Sequence, residues 1–362
     1  PIPLPEEGIM GFSPLVFWFV ILMLYAGVAS VLPVQILLQP RDYLSTYILI
    51  GSMSLGILAL LWVHPEINTP AFMGGFSEQQ GPVWPMLFVL VACGAVSGFH
   101  SLVAGGTTSK QLAVESHGKA ISYGGMLTEG VVAVVTLLLV GGGLYWVAPV
   151  AGNVDMATLG FRETLASGGW IMAFGNGFGN LVHQMLPILG FTFASMIAVL
   201  ALNTFVLTTL DTAVRITRFI LQESLGRKVV LFQGKYVCTV TTVFLAYLIG
   251  ASEGWQKIWP IFGATNQLIA AVALFVTATW LMAVKKPTGY ALYPALFMVV
   301  TTIGALGWQG YRFLTAPEPN FFLGGMALVL IGLAIFVGNE GIQSLRGRRV
   351  AGATLAAENA RA

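Results

Sequence analysis

A carboxylate and an imidazole lie within long apolar segments of this sequence, where such groups are costly unless they are paired, hydrated or neutral. Glu129 lies ten residues into one apolar run, about 15 Å from its start at 1.5 Å per residue. Because burial disfavours the charged form of a carboxyl group, Glu129 is suited to reversible protonation. A structural ion pair or hydrogen bond is the alternative reading of this residue.

The stretch 92–110 concentrates small and polar residues in an otherwise apolar segment. Its candidate binding residues are Ser97, His100, Ser101, Thr107 and Thr108. Ser97 and His100 share a helix face because they are three residues apart. A helix that unwinds here would expose hydroxyl and backbone groups to a cavity, as broken helices do in transporters. We predict solute contact or a proton relay, and a hydrogen bond that only fixes helix packing stays open.

A polar stripe ends another apolar segment. Four residues at helical spacing share one face: Thr204, Thr208, Asp211 and Arg215. Asp211 and Arg215 can pair across one turn, either as a gate or as a static helix-end pair. We take Asn203, Thr208 and Asp211 as binding candidates, and lean to the static role for Arg215.

Two adjacent amides, Asn266 and Gln267, follow a proline and a glycine in a further apolar segment. Pro260 removes a backbone donor, and Gly263 weakens the turn after it. A half-helix beginning near Thr265 would point its positive end at the membrane centre, which suits a carboxylate. The alternative is a kinked helix whose amides bridge to a neighbouring helix. We predict a midplane site shared by Glu129 and Asn266.

The composition requires a membrane for these segments. Hydrophobic residues make up 56% of the chain and charged residues 9%, whereas a soluble domain has about 25% charged residues. Cys93 and Cys238 lie in apolar segments, where buried free thiols are expected. The sequence has no Walker A, His-Glu-x-x-His or Gly-x-Ser-x-Gly motif. We therefore expect no enzyme activity, no ATP hydrolysis, no metal, no cofactor and no nucleic-acid partner.

Nine apolar runs approach the ~20 residues that span a bilayer. They are residues 13–39, 43–63, 84–106, 119–148, 185–212, 236–251, 258–284, 290–308 and 321–339. The fold class is therefore an all-α polytopic membrane protein. The connection 149–184 carries glycines and aromatic residues, and we predict either a re-entrant or interfacial segment or an ordinary surface loop.

The charges predict the orientation. With the N-terminus outside, the inside loops and tail hold all but three of the 17 Lys and Arg residues. The exceptions are Arg162, Lys257 and Arg312. This distribution follows the positive-inside rule and places the C-terminus in the cytoplasm. We predict one transmembrane domain over 1–346 and a disordered cytoplasmic tail over 347–362.

Six motifs closely resemble the carbon starvation protein A (CstA) family. They lie at 38–44, 92–100, 106–110, 123–129, 203–213 and 259–268. The resemblance implies a bacterial or archaeal inner-membrane transporter for short peptides or for pyruvate, coupled to protons and used in carbon starvation. It also implies an amino acid–polyamine–organocation type fold, with inverted repeats and broken helices.

One departure from the family affects this expectation. The family's usual N-terminal helices, with a Gly-His-His segment, have no counterpart in this sequence. A fragment, a truncated gene product or a separate N-terminal subunit would each explain the difference. The expected partners are thus a peptide or pyruvate, a proton, the lipid bilayer and an N-terminal helical segment or subunit. A channel or a non-transporting membrane subunit is the alternative function.

Overall fold

The computed structural model describes residues 13–67, 69–72, 74–77, 81–91, 94, 96–147, 155–251 and 254–359. Within these ranges it describes no side chains for residues 15, 251, 254–260 and 348–359. Cys93 therefore lies outside the described residues, whereas Cys238 is a buried free cysteine.

The described chain is mainly α-helical, with short 3-10 turns, connecting loops and one pair of short strands. The helices are α1 Pro14–Val31, α2 Leu38–Val63, α3 Val83–Leu90, α4 Gly98–Gly106, α5 His117–Gly143, α6 Met156–Leu159, α7 Phe161–Met185, α8 Phe191–Ser224, α9 Lys235–Ala251, α10 Gly254–Ala283, α11 Gly289–Thr315 and α12 Phe321–Asn359. Strands β1 Phe76–Ser77 and β2 Gly81–Pro82 pair antiparallel, with Phe76 opposite Pro82.

Six helices of the described chain are long and apolar enough to cross a membrane. They are α2, α5, α8, α11, the stretch Ile261–Ala283 of α10 and the stretch Phe321–Gly347 of α12. Two shorter apolar stretches, Val16–Val31 and Lys235–Gly250, lie in α1 and α9. The polytopic helical fold agrees with the sequence, while nine crossings, their orientation and inverted repeats stay predictions.

The helices form two compact units. The first unit, Pro1–Phe72 with Ala113–Ala251, contains α1, α2 and α5 to α9. Its core centres on Phe178, which is fully buried beside Leu139 and Ala194. Gly143 of α5 permits the close approach of α7, because a Cβ there would lie 2.2 Å from the carbonyl oxygen of Gly177. Gly143 is therefore a close-packing position between these two helices.

The second unit, Met73–Leu112 with Ser252–Ala362, contains the hairpin, α3, α4 and α10 to α12. One cluster packs α10 against α11 around Ala271, Phe275 and Ala295. Another places Met86 and Val89 of α3 among apolar residues of α10, α11 and α12. The unit therefore holds the short helices α3 and α4 against longer ones.

Proline shifts two helix boundaries relative to the apolar runs. The first run stops early: α1 ends at Val31, two residues before Pro33, and α2 begins at Leu38. The fifth begins late, because Pro187 lies in a 3-10 turn and α8 starts at Phe191. Proline accounts for both differences, since it cannot donate to a preceding helical turn.

The surface-loop alternative for 149–184 is wrong for its second half, because α7 is a helix with a buried stretch from Ala173 to Val182. Asn176 and Asn180 stabilise it by donating to the carbonyl oxygens of Thr158 and Gly143, each at 2.8 Å. A re-entrant or interfacial position stays a prediction.

The C-terminal segment also differs from the expectation. The backbone of α12 is helical to Asn359, so it continues through most of the predicted disordered tail from Gly347. The Ala, Leu and Arg residues of this segment have high helix propensity, which the charge argument did not weigh. The cytoplasmic location of the segment stays a prediction.

Candidate functional site

A buried ion pair joins α2 to α8 in the first unit. The Nη1 atom of Arg41 lies 2.7 Å from Oδ2 of Asp211, and its Nη2 atom lies 3.2 Å from Oδ1. The Asp211 side chain is fully buried and the Arg41 side chain is 14% exposed. Two parallel hydrogen bonds of this kind fix a guanidinium and a carboxylate in one plane. Asp211 is therefore held by a residue 170 positions away in sequence.

Other groups complete the surroundings of this guanidinium. Nη1 of Arg41 also donates to the hydroxyl oxygen of Tyr25 at 2.9 Å, and Nη2 donates to the Thr208 carbonyl oxygen at 3.3 Å. Asp42, whose side chain is half exposed, forms a second ion pair with Arg41, with 2.9 Å between Oδ1 and Nη2. We call Tyr25, Arg41, Asp42, Thr208 and Asp211 the Arg41 cluster. It places one cation between two carboxylates of unequal burial.

The predicted pairing of Asp211 with Arg215 is wrong. Arg215 donates instead to the carbonyl oxygens of Ala29 and Leu32, at 3.0 and 2.7 Å. The last carbonyls of a helix lack intrahelical donors, so the end of α1 attracts this guanidinium. Arg215 thus contacts the end of α1, and Asp211 is bonded to Arg41.

The two remaining candidates on α8 precede Asp211 in sequence. The Thr208 hydroxyl donates to the Phe205 carbonyl oxygen at 2.6 Å, so Thr208 meets Arg41 through its own carbonyl. Asn203 is exposed. The structure therefore brings Thr208 and Asp211 together with Arg41 and leaves Asn203 outside the cluster.

The second unit contains a break between α3 and α4. Ser97 has extended backbone angles, φ −95° and ψ 123°, and its hydroxyl caps α4 by accepting from the N–H of His100. Asn266 of α10 faces this break: its Oδ1 accepts from the N–H of Phe99 at 2.8 Å and from the Ser97 hydroxyl at 3.4 Å. The unwound third helix is thus confirmed at Ser97.

Gln267 serves the other side of the break. Its Nε2 donates to the carbonyl oxygen of Phe88 in the last turn of α3 at 2.9 Å. Its Oε1 accepts from the Thr302 hydroxyl of α11 at 3.4 Å. Both amides of α10 are almost fully buried. Neighbouring side chains therefore satisfy backbone groups on either side of one break.

The half-helix predicted to begin near Thr265 is wrong. The backbone of α10 is a continuous helix from Gly254 to Ala283, and the Thr265 hydroxyl donates within it to the Ile261 carbonyl oxygen at 3.0 Å. Asn266 and Gln267 instead bond through their side-chain amides to neighbouring segments. This agrees with the alternative that the amides bridge to a neighbouring helix. The break lies instead in the segment that faces α10. Gly98, just after the break, allows the α10 backbone to approach closely.

The remaining candidates of the stretch 92–110 lie within α4 or at its C-terminal end. His100 is exposed, and its Nδ1 lies 2.8 Å from the Ser97 hydroxyl oxygen. Ser101 donates to the Gly98 carbonyl oxygen at 2.6 Å. Thr107 ends α4, with a buried hydroxyl that meets no hydrogen-bond partner among the described residues, and Thr108 begins a 3-10 turn. Ser97 and His100 thus lie at the N-terminus of a short helix, which carries partial positive charge.

Glu129 lies on α5 in the first unit. From His117 to Val131 every residue of α5 is exposed except the half-buried Gly118. Within the described chain no hydrogen bond or ion pair holds the Glu129 carboxylate. The site shared between Glu129 and Asn266 stays a prediction, since the two residues belong to separate units.

Arg41 is the site residue that the sequence argument missed as a binding group. The charge distribution assigns it only to an inside loop. Its place directly after Pro40, at the start of an apolar segment, indicates instead a cation in the first turn of a helix. No group of His, Cys, Asp or Glu side chains able to hold a metal occurs in the described ranges.

Buried charge at α8 and a helix broken at Ser97 are features expected of carriers rather than of enzymes. The sequence model of the carbon starvation protein CstA family matches residues 8–305. The chain belongs to this family. The match covers both the Arg41 cluster and the α3–α4 break, which confirms the resemblance carried by the six motifs.

Individual relatives agree with the family. The chain is 32% identical to the peptide transporter CstA of Campylobacter jejuni, over 78% of this chain and 47% of that protein. It is 31% identical to the pyruvate/proton symporter BtsT of Escherichia coli, over 82% and 51%. It is 28% identical to the peptide transporter CstA of Bacillus subtilis, over 87% and 58%.

These relatives are named for transport rather than for catalysis. It spans about half the length of the relatives it matches. No solved structure matches it significantly.

Proposed function

We propose that this chain is part of a proton-coupled secondary transporter that takes up short peptides or pyruvate during carbon starvation. The observation that carries the proposal is the buried Arg41–Asp211 pair, in which a carboxylate with no exposure is held by one arginine. Arginine binds carboxylates in a bidentate manner, and peptides and pyruvate both present a carboxylate.

The pair offers a physical basis for coupling. When Asp211 takes up a proton, it loses its charge and its attraction for Arg41. The Arg41 guanidinium can then donate its hydrogen bonds to the carboxylate of an incoming solute. A proton and a solute anion thus bind together with no change in net charge, which avoids the cost of an unpaired ion inside the membrane.

The α3–α4 break offers a second group of contacts. The N-terminus of α4 and the Ser97 hydroxyl favour an anionic or polar group, and Asn266 fixes their position. We assign Ser97, His100, Ser101, Thr107 and Thr108 to solute contact along α4. Gln267 has a positioning role, because its amide is engaged with Phe88 and Thr302.

Glu129 is the second proposed proton site. A carboxylate on an exposed apolar helix face needs a partner, water or a proton within a membrane. The named pyruvate/proton symporter supports proton coupling. The proposed location is a bacterial or archaeal inner membrane, and the Lys and Arg distribution favours an N-terminus outside and a C-terminus in the cytoplasm. Asn203, on an exposed part of α8, belongs to the solute path in this proposal.

The exposure of α5 from His117 to Val131 supports a second candidate function. Exposure on every face favours a further packing partner, such as an N-terminal helical segment or subunit. In that case the chain would be a channel or a subunit without coupling of its own. Its conductance or binding would then be independent of Asp211 and Glu129.

Uptake into vesicles tests both functions. The chain is reconstituted with and without the family's N-terminal helices, and uptake of labelled pyruvate and of a labelled dipeptide is measured under an imposed proton gradient. Asp211→Asn and Glu129→Gln should each abolish concentrative uptake and leave solute exchange. Glu223→Gln, which neutralises an exposed carboxylate of α8 outside the Arg41 cluster, is the matched control and should retain uptake.

The outcomes separate the candidates. Concentrative uptake that is unchanged in Asp211→Asn contradicts the coupling mechanism at Arg41. Unchanged concentrative uptake in Glu129→Gln removes only the proton role of Glu129. Gradient-independent flux that neither substitution alters supports the channel instead.

A further inference from the structure

An apolar groove runs between α1 and α9 in the first unit. It has a volume of about 630 Å³ and extends from Val20 to Leu32 along α1 and from Tyr247 to Tyr236 along α9. Twelve residues of helix correspond to about 18 Å. This length is close to one leaflet, since the hydrocarbon core of a bilayer is about 30 Å thick. The groove therefore matches an acyl chain in length.

The side chains in the groove remain open to the surroundings. Leu24, Val28, Val240 and Phe244 line it and are each more than half exposed. Neither α1 nor the part of α9 after Lys235 carries a charged residue. The walls of the groove thus offer an apolar ligand surface but no charged anchor along their length.

Among the side chains that the structure describes, positive charge lies at the Leu32–Tyr236 end of the groove. Lys235, the first residue of α9, is exposed, and its Nζ atom lies 4.9 Å from the ring centroid of Tyr236, which lines the groove. Arg215 donates at 2.7 Å to the carbonyl oxygen of Leu32, which lines the same end. The groove therefore has a basic end, formed where α1 finishes and α9 begins.

Among the described residues, the arginines at this end have no anionic partner. Arg215 and Arg218 are 7% and 5% exposed, and their hydrogen bonds go to main-chain carbonyl oxygens at the end of α1. No carboxylate in the described part of the chain lies within 4.0 Å of either guanidinium, and the Nε–H of each meets no acceptor there. Asp211 attracts Arg215 from one turn away, but its carboxylate is bonded to Arg41. Two buried like charges with so little counter-charge are costly, so a nearby anion would stabilise this end.

We infer that the groove between α1 and α9 binds an anionic phospholipid, with an acyl chain along α1 and α9 and the phosphate beside Lys235 and Arg215. An apolar protein helix would fill the groove but would leave the cations at its end uncompensated. An anionic phospholipid satisfies both features, because basic pockets between membrane helices recognise anionic headgroups. The site is independent of which solute the protein carries.

Lipid retention tests this site on the full chain. Wild-type protein is reconstituted in vesicles containing equal phosphatidylglycerol and phosphatidylcholine, purified in detergent, and its retained phospholipids are counted by native mass spectrometry. We expect phosphatidylglycerol to be enriched. Lys235→Gln should weaken that preference about fivefold, the ratio that one cation near an anionic surface corresponds to. Lys119→Gln, at the start of α5, is the control for loss of an exposed charge.

Groove blocking provides an independent test. Val240→Trp fills the groove and should reduce retained phosphatidylglycerol. Val276→Trp is the matched control, since Val276 is a similarly exposed valine of α10 outside the groove, 62% against 66% for Val240. Equal retention of the two phospholipids contradicts an anionic site. Retention that Val240→Trp leaves equal to that of Val276→Trp contradicts binding in the groove and indicates another occupant, such as a protein helix.

Discussion

Asn266 accepts a hydrogen bond from the main-chain N–H of Phe99 at 2.8 Å, across 167 residues of sequence. In an unbroken helix that N–H would donate to the carbonyl four residues earlier. The side chain of α10 replaces this lost acceptor at the start of α4. A break inside an apolar segment thereby becomes tolerable, since unsatisfied backbone groups are costly away from water.

Removing the Asn266 acceptor should destabilise the second unit. Asn266→Leu leaves the Phe99 N–H and the Ser97 hydroxyl without this partner, and an unsatisfied buried donor costs about 1–3 kcal/mol. Asn266→Asp keeps a carboxylate oxygen at the same position and should recover part of the loss. Thermal unfolding in detergent measures both. Asn203→Leu, at an exposed amide, is the control with an expected change below about 0.5 kcal/mol. If both leucine variants unfold alike, the Asn266 bond is not stabilising.

The Arg41–Asp211 pair should show strong coupling between its members. Arg41→Met or Asp211→Leu alone leaves an uncompensated buried charge and should cost about 3 kcal/mol. The double variant removes both charges and should cost less than the sum of the single changes by about 1–3 kcal/mol. A double-mutant cycle from unfolding midpoints measures this energy.

Asp42 supplies the comparison for that cycle. Its side chain is half exposed, and its bond to the same guanidinium should contribute less than about 1 kcal/mol. Asp42→Asn should therefore change stability little. If the losses in the Arg41–Asp211 cycle are additive, its coupling energy is no larger than that of the Arg41–Asp42 pair. That result would show that burial does not strengthen the pair.

Gly98 should not tolerate a side chain. A Cβ at this position would lie 2.1 Å from the Asn266 carbonyl oxygen and 2.6 Å from the Ala270 nitrogen. Both are backbone atoms, so Gly98→Ala must separate α4 from α10 and should cost about 1–3 kcal/mol, as overpacking does. Thermal unfolding in detergent measures the loss. A Gly98→Ala variant that unfolds at the wild-type temperature would contradict this close contact.

Gly124 and Gly125 of α5 make the opposite prediction. A Cβ at either position meets no atom within 4 Å. Alanine has a higher helix propensity, so Gly124→Ala should stabilise this chain by up to about 1 kcal/mol. In the presence of the family's N-terminal helices, the same variant should lose stability if another helix packs closely on this face. Unfolding measured with and without those helices distinguishes the two cases, and an equal gain in both would exclude a close contact there.

The sequence by itself determined the polytopic helical class and the family, and it nominated most of the residues proposed here for the site. Its few charges stand out against the apolar segments, so Asp211 and the stretch around Ser97 could be identified without a structure. Local rules also found the break at Ser97, since a glycine-rich polar stretch weakens a helix in any context. Asn266 and Gln267 were singled out for a half-helix that α10 does not contain, and their amides instead bond to the facing segment.

The tertiary structure decided which partner each polar group meets. Local spacing offered Arg215 to Asp211, one turn away on the same helix, but Arg41 reaches it from α2 and Arg215 binds the end of α1. The amide pair likewise serves a break in another segment rather than one in its own helix. Sequence spacing identifies possible partners only within one helix. Buried charges and amides take the partner with the best geometry from any helix, and packing alone determines which helix is adjacent.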